Sequence, residues 1–132
     1  MVTNPGSSGM ISTVAGNGGY GSLGDGVLGT SARLNAPFGV AVDASGNIYI
    51  ADQRNSRIRM VTNPGSSGII STVAGDGTAG FIGDQGLATS ARLDTPLGLC
   101  LDALGNIYIA DTYNHRVRKV GQASPKIGRA HV

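Results

Sequence analysis

The chain has 132 residues, 22 of them glycine, with no tryptophan or glutamate, and its ten bases against eight acids leave a formal net charge of +2. A length of this order suits one domain, and 40% hydrophobic residues exclude a disordered chain, while so small a charge gives no ground for a nucleic-acid partner. A single cysteine excludes an intrachain disulfide, no apolar run reaches eighteen residues, and no charged-then-apolar leader opens the chain, so no membrane span or signal peptide is expected.

Helix formers are sparse, and short strands joined by tight turns are predicted throughout. Met10–Ala15 reads as a strand without a neighbour before it. A glycine-rich connection, Gly16–Pro37, follows and closes on "TSARL", a piece long enough for one helical turn with Thr30 or Ser31 as its N-cap. "FGVAVD" (Phe38–Asp43) and "NIYIAD" (Asn47–Asp52) are strands flanking the turn "ASG". "SRIRMV" (Ser56–Val61) follows the turn "QRN", and "IISTVA" (Ile69–Ala74) follows the Pro- and Gly-bearing reversal "TNPGSSG".

The chain then repeats itself. Gly75–Pro96 is a second long connection, with Thr89 or Ser90 as the expected cap, and "LGLCLD", "NIYIAD" and "HRVRKV" are three further strands. Thr3–Val61 overlies Thr62–Val120 without a gap, with 38 of 59 positions identical. Exchanges such as Val40/Leu99, Val42/Leu101 and Ile58/Val117 swap one aliphatic for another. Within "LGLCLD", Cys100 reads as a small buried hydrophobe. Runs as apolar as "GVAV" and "IYIA" need cover on both faces, so small sheets must stack on one another. Four-stranded antiparallel sheets repeated along the chain and stacked describe the blades of a β-propeller.

"PFGVAVDASGNIYIADQRNSRIRMV" (Pro37–Val61) and "PLGLCLDALGNIYIADTYNHRVRKV" (Pro96–Val120) resemble the NHL repeat. The Pro-Gly start, the Asp and Gly-Asn of the hairpin, and the later Asp, Asn and Arg all fall at that family's spacing. The resemblance implies propellers of typically about six blades that serve mainly as binding platforms. This chain holds about two blades of an incomplete toroid. Residues 1–15 are expected to end a preceding blade, 16–74 and 75–120 to form two units each led by its long loop, and 121–132 to be a non-repeat tail. Ile127–Val132 matches one translated frame of a common sequencing adapter and is expected to be an artefact. Because Met1 and Val2 align with Met60 and Val61, the chain is expected to be a slice of a longer array.

Two stacked blades leave two bare outer faces, so further blades or self-association are expected, for example three copies making six blades. Met10–Ala15 is expected to complete the second sheet by pairing with His115–Val120, and only in an oligomer.

Asp52…Arg57 and Asp111…Arg116 share an i, i+5 spacing across a turn, which predicts opposite charges facing each other on paired strands. A catalytic group has no reason to recur in each unit, so these pairs are read as turn-fixing ion pairs. Asp43 and Asp102 open their hairpins and are expected to cap their own backbone. The glycines of Gly16–Gly26 and Gly75–Gly86, with Asp25, Asp76 and Asp84, lack the spacing of a phosphate loop or an EF-hand. No metal, cofactor or catalytic residue is therefore expected.

Strand parity puts the second-to-third turn and the long connection at one end of each unit. There Arg54, Tyr113 and His115 differ from their counterparts amid near-identical neighbours, and Arg33 and Arg92 are expected nearby. These five are the candidate binding residues of a non-enzymatic interaction module that takes a protein or other ligand on its loop face. The alternatives are part of a propeller enzyme whose catalytic residues lie in other blades, and an RNA-binding platform. Low lysine with abundant Gly, Ser and Thr leans towards an extracellular or surface protein.

Overall fold

A computed structural model describes residues 9–22, 24–62 and 68–121. The first sheet has the order β1 (Pro37–Val42), β2 (Ile48–Asp52), β3 (Arg57–Val61), β4 (Ile70–Ala74), and the second has the order β5 (Pro96–Leu101), β6 (Ile107–Asp111), β7 (Arg116–Val120). Every pairing is antiparallel. The strands match the apolar words of the sequence to within a residue at each end, because each word ends at a turn. The β1–β2 reversal is closed by Asp43 N donating to Asn47 O at 3.0 Å, with Gly46 at φ +88°, where a side chain would be strained.

The period of two assigns the faces. Ile48, Ile50 and Val61 lie on one face of the first sheet, where Ile50 and Val61 cluster with Ala32 and Ile70. Tyr49, Ala51 and Ile58 lie on the other face and are buried with Ala74 against Leu93, Ile107 and Ile109 of the second unit. That stack is the main core. It is closest at the inner strands, where a Cβ on Gly39 would lie 2.6 Å from the Leu97 carbonyl oxygen.

The outer faces are bare, and the two repeats measure this directly. Ile58 is 0% exposed beneath the second sheet, whereas its counterpart Val117 is 72% exposed on the second sheet's far side. On the opposite end of the stack, Phe38, Val40 and Val42 are exposed, while Leu99 and Leu101, counterparts of the latter two, pack into the core.

Two expectations need correction. Cys100 is exposed, not buried; it pairs in register with Tyr108 on the face that no further sheet covers. The helical turns are 3-10 turns at Gly29–Ser31 and Ala88–Ser90, capped by Leu28 and Leu87 without side-chain bonds, so Thr30, Ser31, Thr89 and Ser90 are not N-caps. Met10–Ala15 forms no strand within the single chain, where its expected pairing is with β7 and only in an oligomer. Residues 122–132 of the tail lie outside the described residues.

Candidate functional site

The end of each sheet where the second strand turns into the third is built around one carboxylate. Asp52 Oδ1 accepts the Asn35 backbone N–H at 2.7 Å, and Oδ2 accepts Asn55 Nδ2 at 2.8 Å and Arg59 Nη1 at 2.9 Å. Asn55 also donates to the Gly21 carbonyl at 2.6 Å, and Arg59 Nη1 to the Arg33 carbonyl at 3.3 Å. Arg59 Nη2 reaches Asp25 Oδ1 at 3.0 Å, and Asp25 Oδ2 accepts the Thr72 hydroxyl at 2.7 Å. One buried Asp–Asn–Arg set thus pins the long connection to its own sheet.

The second unit repeats the bonds around the carboxylate, while Arg118 Nη2 goes to the Ile82 carbonyl at 3.1 Å where Arg59 Nη2 goes to Asp25. Asp111 accepts from Asp94 N, Asn114 and Arg118, while Asn114 donates to Gly80 O and Arg118 donates to Arg92 O and Asp84. Hydrogen bonds to ionised partners in a dry site are the strong ones.

Asp52 and Asp111 spend their carboxylates on bonds within the fold, and their ionic partners are Arg59 and Arg118, not the expected Arg57 and Arg116. Arg57 stands opposite Asp52 in register, yet the ion pair runs diagonally to Arg59. The diagonal residue points into the space under the long connection, where Asp25 and the Arg33 carbonyl are further acceptors. Arg57 donates instead to the Asp76 carbonyl at 3.3 Å, and Arg116 stacks on Phe81 at 3.9 Å from the ring centre. Nothing in the spacing marked Arg59. The available signal was Asn55/Asn114, a residue shared between turns whose neighbours all differ.

Asp43 and Asp102 cap their own turns. Asp43 accepts the Ser45 and Asn47 backbone N–H groups, Asn47 Nδ2 and the Tyr49 hydroxyl. Desolvation acts to raise its pKa, but these bonds outweigh it and the pKa lies below its ordinary value. For Asp102 the Asn106 side-chain bond leads, and the net direction is the same. Tyr49 is raised by burial and by the Asp43 carboxylate.

The loop acids are engaged too. Asp25 and Asp84 hold arginines as above, and Asp76 pairs with Arg92 at 3.1 Å. Asp76 is held below its ordinary pKa first by the Thr78 backbone bond and then by Arg92. Among the described residues no group of three or more His, Cys, Asp or Glu gathers as a metal site would require. No helix among them is long and apolar enough to cross a membrane.

The five candidate binding residues separate by environment. Arg54 N donates to the Asn35 carbonyl and Tyr113 N to the Asp94 carbonyl, each at 3.0 Å, which puts turn and long connection on one end of the sheet. Arg54 and Tyr113 both project to solvent, Tyr113 at 66% exposure. Arg54 remains exposed in the unit that is covered by a following one, so its exposure owes nothing to the open end. His115 is a different case. It holds a left-handed φ of +54°, which closes its turn, and its counterpart Ser56 is buried where Gly75 packs on it; its exposure comes from the open end. Arg92 is tied to Asp76. Arg33, whose unit has Asn17 where the second has Asp76, pairs with no acid among the described residues.

Comparison with known proteins agrees with this geometry. The family model of the teneurin NHL domain matches residues 17–80 and that of the NHL repeat matches residues 93–120. The chain is 35% identical over 104 residues to human teneurin-4, covering 71% of this chain and 4% of that protein. It is 39% identical over 97 residues to bovine NHL repeat-containing protein 2, covering 71% and 13%. A structural-genomics protein of unknown function from Bacteroides thetaiotaomicron superposes with a TM-score of 0.68 at 28% identity, over 80% of this chain and 26% of that one. The chain thus spans a small part of each. With two stacked antiparallel sheets each carrying an Asp–Asn–Arg set, it belongs to the NHL-repeat β-propeller family.

Proposed function

We propose that the chain is a non-enzymatic interaction module that binds a protein or other ligand through its loop face, around Arg54, Tyr113 and Arg33. One contrast supports this reading. The Asp–Asn–Arg frame beneath the turns makes the same bonds to its carboxylate in both units, while the exposed residues it presents, Arg54 and Tyr113, differ. Side-chain variety on a fixed support is what selective contact uses. Among the described residues, the titratable groups of the frame are engaged in bonds that hold the fold.

The test is photo-crosslinking. A benzophenone amino acid at position 54 or 113 should capture a partner from extracts of the source cell, and one at Leu104, on the opposite hairpin, should not. Equal capture at both ends would reject the loop face. Saturable binding of a labelled single-stranded RNA, lost in Arg33→Ala and Arg54→Ala, would instead support the RNA reading.

A further inference from the structure

The second sheet lacks a fourth strand among the described residues, and the place for one is formed. In the first unit Ile70 is fully buried, clustered with Ala32, Ile50 and Val61. Their counterparts Ala91, Ile109 and Val120 line a cavity of about 240 Å³ beside the free edge of β7. Three walls of the Ile70 site are present there and its occupant is not.

The hydrogen-bonding groups stand ready as well. In the first unit Gly26 N donates to Ile70 O at 2.8 Å, Ile70 N to Val27 O at 3.0 Å, and Gly29 N to Gly68 O at 2.9 Å. The corresponding groups of the second unit belong to Gln85, Gly86 and Ala88. Gln85 keeps the left-handed turn of Gly26, with φ of +74° against +85°. Asp84, bound through Oδ1 to Arg118, offers Oδ2 for a threonine hydroxyl as Asp25 does for Thr72.

The chain carries one other copy of the strand that fits. Ile11–Ala15 reads "ISTVA", letter for letter the sequence of β4, Ile70–Ala74. Its Ile11 is 99% exposed and engaged with nothing. Donation within one molecule is closed off by the stacking. Ala15 packs on the Ile50–Val61 face of the first sheet, while the second sheet lies on the opposite, Tyr49–Ile58 face. The tail offers no match either, since gapless alignment puts Arg129 at the Ile70 position.

We infer that this edge is a docking site for Gly9–Ala15 of a second copy, which adds as a fourth antiparallel strand to β7. The register follows the first unit, where Val61 faces Ile70, Met60 faces Ser71 and Ile58 faces Ala74. Val120 therefore faces the incoming Ile11, Lys119 faces Ser12 and Val117 faces Ala15. The same step lays the bare Tyr108–Val117 face of one copy on the exposed Phe38, Val40 and Val42 of the next, repeating the interface between the two units. The contact is head-to-tail, so it closes into a ring or continues as an open chain of copies.

Light scattering on the full chain, across a dilution series, tests this. The expected result is species at multiples of 13.3 kDa that dissociate on dilution, and loss of all of them in Ile11→Asp, which places a charge at the buried position. Because Ile11 touches nothing in the single chain, that variant should keep its circular dichroism and melting temperature as a monomer. Register is read in a Cys100→Ala background. Ser12→Cys with Lys119→Cys should cross-link between chains, and Thr13→Cys with Lys119→Cys, on opposite faces, should not. A chain that is monomeric at high concentration, or association indifferent to Ile11→Asp, would overturn the inference. So would a Ser12–Lys119 cross-link within one chain, or association that begins only when the residues after Gly121 are removed, which would assign the seat to the tail.

Discussion

Arg59 crosses the first sheet diagonally to reach Asp52, with Nη1 2.9 Å from Oδ2 and the two side chains 1% and 0% exposed. The pair sits where sheet, turn and long connection meet, and Arg59 also holds the Arg33 carbonyl and Asp25. Removing one partner of a buried pair leaves the other uncompensated, which costs about 3–5 kcal/mol. Asp52→Ala and Arg59→Ala are therefore expected to lower urea-unfolding stability by that amount. Arg57→Ala, which loses a single 3.3 Å bond to a carbonyl, should cost about 1 kcal/mol or less. An Arg57 effect equal to that of Arg59 would put the ionic partner back at the i+5 position.

Gly39 and Gly98 occupy the same position in the two units but have different neighbours. A Cβ on Gly39 meets the Leu97 carbonyl oxygen at 2.6 Å and Gly98 Cα at 3.1 Å, whereas one on Gly98 has the Ala110 Cβ at 3.9 Å as its nearest contact. Gly39→Val should separate the two sheets and lower the melting temperature by many degrees. Gly98→Val should leave the single chain as stable as before, and it should also block head-to-tail association, because there Gly98 would meet the next copy as Gly39 meets Leu97. Thermal melts and light scattering on the two variants read the two effects separately.

Much of this was legible in the sequence, and the parts that were not share a cause. Strand positions followed from apolar words bounded by Gly, Asp and Asn, and the Asp43 and Asp102 caps followed from local turn chemistry. Each depends on residues a few positions apart. Arg59 was not legible because its partners Asp25 and Arg33 come from the long connection and Asp52 from β2, and only the folded connection brings them together. Cys100 was misread because alternation gives the face a residue lies on, but not whether another sheet covers that face.

The shifted groups set the pH response. Asp43, Asp76 and Asp102 have folded pKa values below their ordinary 3.8, so the stability they contribute is present above 3.8 and is lost as the pH falls through the folded values. Tyr49 lies above its ordinary 10.0, so its contribution is present below 10 and is lost as the pH rises through the folded value. Melting temperature should be level from about pH 5 to 9 by these groups and decline at both ends. Asp43→Asn should flatten the acid limb, since Asn at that place no longer gains by ionising, and Tyr49→Phe should flatten the alkaline limb. An acid limb unchanged in an Asp43→Asn, Asp102→Asn double variant would assign acid sensitivity to other carboxylates.

Cys100 reports on the bare face without any engineering. It is exposed on the side of the second sheet opposite the first unit, and its counterpart Ala41 is half-buried under the second sheet. In dilute solution the thiol should react with a maleimide at the rate of an open cysteine. As the concentration rises and copies stack, labelling should slow towards the protection that Ala41 has in the single chain. The Ile11→Asp variant should label quickly at every concentration. Slow labelling at high dilution would mean that this face is already covered in the single chain, and the stacking order of the sheets would have to be redrawn.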